Sequence, residues 1–260
     1  DLSAASVFAD AAYYQTIHAG KQRNVAADFR VKKYQLDFSM GLNLIGRAKV
    51  YVDRSELKSY RFTLYHGYKV KQVTDQTGAA LDFRREHDYA TVTRGGAAVE
   101  YLCLEYTGKS PKYYSSYAGV CLPANFAYYP IPGYRELFSD NFYGFIDCSL
   151  PYDTAFDVRC SGRKQMYCNL AARGDNHFAG NARSITLLSG YYDTLKLNDT
   201  LVVYPKYADT EIQARIKKNM GTFTKEHRDI RTIFIMGADN LTPYEHLRSY
   251  DGYVVTNSMI

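Results

Sequence analysis

Hydrophobic residues change their spacing twice along this chain, and each change marks a different kind of element. Over residues 3–19, Val7, Ala11, Tyr14 and His18 recur on one helical face and Gly20 follows as a stop, which predicts a leading helix. From residue 34 to about 205 the period is two. Leu36, Phe38, Met40, Leu42 and Leu44 alternate with polar or small neighbours until Gly46 interrupts them; Val50/Val52 and Phe62/Leu64 continue the pattern. Asp75-Gln76-Thr77-Gly78 has the composition of a turn between Val70/Val73 and Leu81/Phe83, and Arg94-Gly95-Gly96 predicts a hairpin between 89–93 and 99–106. Further strands are expected at 142–149, 154–160, 165–171, 183–189 and 200–204. Many short strands with closely spaced turns predict a mainly β fold, an antiparallel saddle-like sandwich.

The period changes again near Pro205. Thr210-Glu211-Ile212-Gln213 reads as a capping box, Ile212, Ile216 and Met220 follow at four-residue spacing, Lys217 and Lys218 suit the negative end of a helix, and Gly221 closes it. Residues 230–236 form a near-continuous apolar strand, Thr242-Pro243-Tyr244-Glu245 is a second box with proline at the first helical position, and Tyr253-Val254-Val255 is strand-like. Helix, buried strand, short helix and strand predict the opening of an α/β layer. The expected division is therefore a leading helix and linker over 1–33, a β domain over 34–205, and the start of an α/β domain over 206–260.

Composition adds one unusual feature. The chain has 260 residues with 46% hydrophobic and 23% charged positions, ordinary for a globular protein, but 26 Tyr and 13 Phe with no Trp. Tyrosine suits strands and half-buried faces because its ring packs while its hydroxyl keeps a polar partner. The net charge of +5 comes from 32 bases and 27 acids that are scattered, with Arg30–Lys33 and Arg215–Lys218 the densest groups. A nucleic-acid surface needs a concentrated basic stripe, so no nucleic-acid partner is expected; a solvated surface, or weak attraction to anionic lipid head groups, accounts for the charge. Five cysteines occur with no Cys-x-x-Cys. Cys148 and Cys160 alternate with apolar neighbours, as buried thiols on strands do, and one disulfide of undetermined pairing stays open. No apolar run approaches the about 20 residues that span a bilayer, and no signal peptide is visible. The chain begins at Asp1 and ends on a strand-like apolar run, from which a piece of a longer protein is expected.

Chemistry is sparse. A zinc peptidase helix needs two histidines one turn apart with a glutamate between them. None of the six histidines (His18, His66, His87, His177, His227, His246) has another four residues away. Glu86-His87, Glu226-His227 and Glu245-His246 read as surface pairs. P-loop, dinucleotide-binding, nucleophile-elbow and EF-hand signatures are absent. No catalytic, cofactor-binding or metal-ligating residue is assigned. The sequons at Asn198 and Asn240 matter only in a eukaryotic secretory setting. The densest aromatic stretch, 113–134, carries six tyrosines near two proline turns. It nominates Tyr128, Tyr129 and Tyr134, with the nearby acid Glu136, as ligand-facing or domain-contact residues.

The order of these elements resembles the N-terminal β domain of aminopeptidase-N-like (gluzincin) zinc peptidases. The markers run from Tyr34-x-Leu36-x-Phe38 and Gly46 through Val52 to Val70-Lys71-Gln72-Val73 with Asp75, Gly78, Leu81 and Phe83. Leu104-Glu105-Tyr106-Thr107-Gly108 follows, then Tyr128-Tyr129-Pro130, and finally Gly190-Tyr191-Tyr192 with Leu201-Val202-Val203-Tyr204. The similarity covers 34–205 and continues over 206–260 as the start of a thermolysin-like domain. It implies a non-catalytic fragment that scaffolds and walls a peptide cleft, with the family's His-Glu-x-x-His helix, and any zinc cofactor, in a domain beyond Ile260. Two departures stand out. Pro130 is followed by Ile131-Pro132-Gly133-Tyr134 instead of an acidic pair, and the leading helix lacks a counterpart in soluble aminopeptidases. Both are closer to a divergent bacterial branch fused to membrane-spanning ABC-type permease subunits. That branch implies an extracytoplasmic, membrane-tethered setting, with the downstream thermolysin-like domain, a peptide ligand and membrane-spanning segments as partners. The alternative is a peptide- or glycan-binding β-sandwich module with no peptidase relationship in function.

Overall fold

The computed structural model describes residues 2–17, 24–41, 43–111, 118–139, 144–236 and 247–256, with the side chains of 2–8, 139 and 144 left aside. The predicted helix at 242–245, His18, Gly20 and the tyrosines of 113–117 lie outside those residues. Helix α1 (Leu2–Ile17) leads into β1 (Val31–Met40), β2 (Leu44–Val52), β3 (Ser59–Thr63), β4 (Tyr68–Thr74), β5 (Asp82–Glu86), β6 (Tyr89–Thr93) and β7 (Tyr101–Gly108). Short strands β8 (Gly119–Leu122), β9 (Ile131–Pro132), β10 (Phe138–Ser139) and β11 (Gly144–Phe145) come next. They are followed by β12 (Thr154–Ser161), β13 (Gln165–Cys168), β14 (Ala171–Gly174), β15 (His177–Ala182) and β16 (Leu187–Gly190). The chain closes with β17 (Tyr192–Leu197), β18 (Thr200–Pro205), α2 (Thr210–Glu226), β19 (Thr232–Ile235), β20 (Leu247–Tyr250) and β21 (Tyr253–Thr256).

The largest sheet has the order β14-β15-β12-β1-β2-β7-β4. Alternation places it: Leu44, Ala48, Val50 and Val52 of β2 point inward beside Tyr34, Leu36 and Phe38 of β1. Its pairs are antiparallel except β1 with β12, which run parallel, so the sheet is mixed. That parallel register sets Tyr34 beside Phe156, with rings stacked 5.1 Å apart. A four-stranded antiparallel sheet, β5-β6-β3-β9, and a three-stranded one, β13-β16-β8, cover the inner face and share one aromatic core with it. The fold is mainly β, as the alternation predicts.

The C-terminal sheet has the order β17-β18-β19-β21-β20, and its three central strands are parallel. Every residue of β19 and β21 is buried, because both faces are covered. Ile216 of α2 packs with Val202, Ile233, Ile235 and Val254 on one face. The other face sets Val203, Phe234 and Val255 against Ala118, Cys121 and Leu188 of the β8–β16 side.

Several local expectations are corrected. Residues 94–96 do not close a hairpin: β6 pairs with β3 and β5 while β7 pairs with β2 and β4. Arg94 N bonds to Lys58 O and Val99 N to Ser55 O, so the segment crosses from one sheet to the other. Gly46 does not end a strand but sits inside β2, where a Cβ would lie 2.4 Å from the Tyr106 ring. Helix α2 is capped by Asp209, whose carboxylate accepts from Ile212 N at 2.8 Å, and it runs through Gly221 to Glu226. Of 142–149, only β11 pairs among the described residues; the carbonyls of Cys148 and Ser149 are taken by Arg135 instead. The stretch 165–171 breaks into β13 and β14, and β16 starts at Leu187, later than the expected 183. The C-terminal sheet also takes in β17 and β18, which precede residue 206.

Candidate functional site

The described part of the tyrosine-rich segment, 118–134, runs through the core, and past β8 it has little regular hydrogen bonding of its own, so its backbone carbonyls need partners from elsewhere. Tyrosine hydroxyls provide them. Tyr34 donates to Pro130 O at 2.8 Å, Tyr106 to Tyr128 O at 2.8 Å, and Tyr128 itself to Ile185 O at 2.8 Å. Thr63 Oγ1 donates to Gly133 O at 2.8 Å and accepts from Arg135 N at 2.9 Å. Tyr128 is 0% exposed and Tyr129 1%, and Tyr129 packs edge-on against Tyr34 and Tyr128. Two of the four residues nominated by the sequence therefore lie inside the β core, where neither reaches solvent. Burial holds the hydroxyls of Tyr34, Tyr106, Tyr128 and Tyr129 well above the usual phenol range.

Tyr134 and Glu136 come together at the surface. Val25 and Tyr134 exchange two backbone hydrogen bonds of 2.8 Å, and Glu136 N donates to Asn24 Oδ1 at 3.0 Å. The Tyr134 ring leans on Tyr89 at 4.8 Å, and its hydroxyl bonds to Thr91 Oγ1. Beside them opens a groove of about 520 Å³ with a floor of Phe29, Pro132 and Tyr152 and a rim carrying Arg30, Glu136 and Asp147. The Arg30 guanidinium lies 5.1 Å over the Tyr152 ring. Asp147 is held by Ser149, which donates both N and Oγ to its Oδ1 at 2.8 and 2.7 Å. The groove thus combines an apolar floor with charges of both signs on its rim.

Among the described residues, no three His, Cys, Asp or Glu side chains converge to hold a metal ion. His177 Nε2 meets Asp157 Oδ1 at 2.9 Å on the open sheet face, and His66 lies between Asp10 and Asp88. His87, in the β5–β6 turn with φ 55°, contacts Tyr13. None of these side chains belongs to a group of three that could hold a metal ion among the described residues. All five cysteines are buried and free, and burial pushes the thiols of Cys148, Cys160 and Cys168 up to about 12, far from a reactive thiolate.

Sequence reasoning missed the polar contacts that seat the C-terminal sheet. Tyr253 Oη lies 3.0 Å from Ser184 Oγ and accepts from Thr186 Oγ1 at 3.3 Å, while Tyr250 donates to Asn125 Oδ1 at 3.2 Å. The signal was tyrosine in place of phenylalanine at apolar positions of a strand, which marks a buried hydroxyl with a partner.

No protein-family model matches the chain, and no curated protein does. Solved structures do resemble it. Yeast LTA4 hydrolase in complex with bestatin superposes with a TM-score of 0.60 at 10% identity, over 92% of this chain and 43% of that one. An aminopeptidase N family protein from Idiomarina loihiensis superposes with a TM-score of 0.55 at 8% identity, over 86% of this chain and 42% of that one. The likeness is one of fold: this is the β-rich architecture that opens aminopeptidase-N-like proteins. The chain spans less than half the length of either structure.

Proposed function

We propose that this chain is the non-catalytic β-rich support of an aminopeptidase-like protein. In this reading it seats a following thermolysin-like domain and walls one side of a peptide cleft, with any zinc held downstream. The observation that carries it is the packing of the C-terminal sheet. One face of β19 and β21 is closed by α2, and the other rests on the β8–β16 side through Tyr253, Ser184 and Thr186. Such a seated sheet is a platform from which further α/β elements extend. Peptide recognition is assigned to the groove at Tyr134 and Glu136, whose carboxylate suits an amino terminus. The parent protein is proposed to be transporter-associated and extracytoplasmic, tethered by membrane segments outside this sequence. That setting is supported by the leading helix and by Pro130-Ile131-Pro132, which stands where catalytic relatives carry acids. Among the described residues no helix is long and apolar enough to cross a membrane.

A second reading, a stand-alone peptide- or glycan-binding module, is favoured by the same groove. Titrating a labelled tripeptide with a free amino terminus against this chain, and against the chain with its natural continuation, separates the two. The cleft reading expects binding only in the extended protein, weakened at least about tenfold by Glu136→Gln. Equal affinity in both proteins overturns it in favour of the module.

A further inference from the structure

A second cavity, of about 460 Å³, lies where the ends of β1 and β2 meet β8 and β16, and it shares no lining residue with the peptide groove. Alternation sets its walls. Leu187 of β16 joins the core shared with the large sheet, so Ser189, two residues on, faces the same way. Val120, the register partner of Ser189 on β8, packs against that core as well. From the large sheet come Met40 and Leu44, themselves register partners on β1 and β2.

The polar lining carries one sign of charge. Arg163 and Lys164 stand in the turn between β12 and β13, and no acid lines the cavity among the described residues. Among those residues neither cation makes an ion pair. Lys164 Nζ lies 4.9 Å over the Tyr191 ring, which steadies the ammonium. Ser110 Oγ shares a hydrogen bond of 2.7 Å with the Tyr68 hydroxyl. Ser189 is 6% exposed and lines the cavity, yet its hydroxyl has no hydrogen-bond partner among the described residues. A buried hydroxyl in that state lowers stability until a bound group accepts a hydrogen bond from it.

Two cations, an unpartnered hydroxyl and no acid suit an anion, and the apolar wall suits a group attached to that anion. A phosphate monoester offers three terminal oxygens and close to two negative charges, against the two oxygens and single charge of a carboxylate. We propose that this cavity binds a free phosphate monoester of a short apolar chain. Arg163 and Lys164 pair with the phosphate, Ser189 donates to one of its oxygens, and the chain lies on Met40, Leu44 and Val120. The volume falls within the range of small-ligand pockets, about 300–1,000 Å³, so the ligand is a soluble ester and not a lipid head group.

The test is isothermal titration calorimetry of the whole chain at about pH 7.5 and low salt, where a monoester is close to doubly charged and screening is weak. The probes are hexyl phosphate, hexanoate, inorganic phosphate and hexanol. Hexyl phosphate should bind one to one and at least about tenfold tighter than each of the others. Arg163→Gln and Lys164→Gln should each weaken it about fivefold or more, and Ser189→Ala about threefold or more. Lys217→Gln, on the exposed side of α2, should leave it within about twofold. Arg163 and Lys164 are exposed, so their variants should keep the urea midpoint, which separates a lost contact from a lost fold. No saturable binding of hexyl phosphate overturns the proposal, as does equal affinity for hexanoate, or affinity unchanged when Arg163 and Lys164 are both replaced. Cosedimentation with phosphatidate vesicles separates the two sources of the phosphate: capture by vesicles without binding of hexyl phosphate also overturns it.

Discussion

The hydroxyl of Tyr106, on a strand of the large sheet, donates to the backbone carbonyl of Tyr128 at 2.8 Å, and its ring closes over Gly46. Tyr128 in turn donates to Ile185 O. A segment with few ladder partners is thus held in the core by phenols that do the work of a neighbouring strand. Leaving one buried carbonyl without its donor costs about 1–3 kcal/mol.

Tyr106→Phe should therefore lower the unfolding free energy by about 1–3 kcal/mol in urea, followed by circular dichroism. Tyr191→Phe, at a position 60% exposed, should change it by less than about 0.5 kcal/mol. Equal midpoints for Tyr106→Phe and the unmodified chain would show that the hydroxyl contributes nothing.

Alkali should unfold the protein cooperatively. Tyr34, Tyr106, Tyr128 and Tyr129 are raised well above the usual phenol value by burial, so the folded state keeps protons that the unfolded chain gives up. Stability from these groups is complete below about pH 10, the unfolded phenol value, and falls as pH rises above it. Absorbance near 295 nm should rise in two stages, exposed tyrosines first and the buried group together with loss of structure. A single smooth titration without unfolding would contradict the buried network.

The β8–β16 pair rests on two facing glycines. Gly119 and Gly190 are register partners with φ of 156° and 159°, and a Cβ on either would lie 2.0 Å from a backbone oxygen of the opposite strand. Gly119→Ala should destabilise by about 3 kcal/mol or more, through backbone strain and overlap together. It should also loosen the C-terminal sheet, which leans on Ala118, Cys121 and Leu188. A midpoint within error of the unmodified chain would mean that the strands separate without cost.

Much of this architecture was legible in the alternation of apolar residues. β12 and the start of α2 follow directly from it, because one face of each is buried and the period reports that face; the alternation from Leu36 to Leu44 does not mark the end of β1 at Met40 or the start of β2 at Leu44. The turn at Asp75 was legible because its carboxylate collects Thr77 N and Ala79 N. What periodicity could not give is partnership between strands. It read Arg94–Gly96 as a hairpin because local turn chemistry does not reveal that the flanking strands belong to different sheets. It also ended a strand at Gly46, whose missing side chain makes room for a ring sixty residues away in sequence. At the candidate site, the tyrosine-rich stretch was visible from composition. The split into Tyr128 and Tyr129 inside and Tyr134 outside depends on which side of the segment meets the sheet, and that is set by tertiary contacts.

In the proposed reading these residues build a support, and among the described residues no side chains assemble a peptidase metal site. The most direct measurement is zinc content by mass spectrometry after the purified chain is equilibrated with excess zinc and then desalted. The expected result is zinc far below one ion per chain; one tightly held zinc per chain would contradict it.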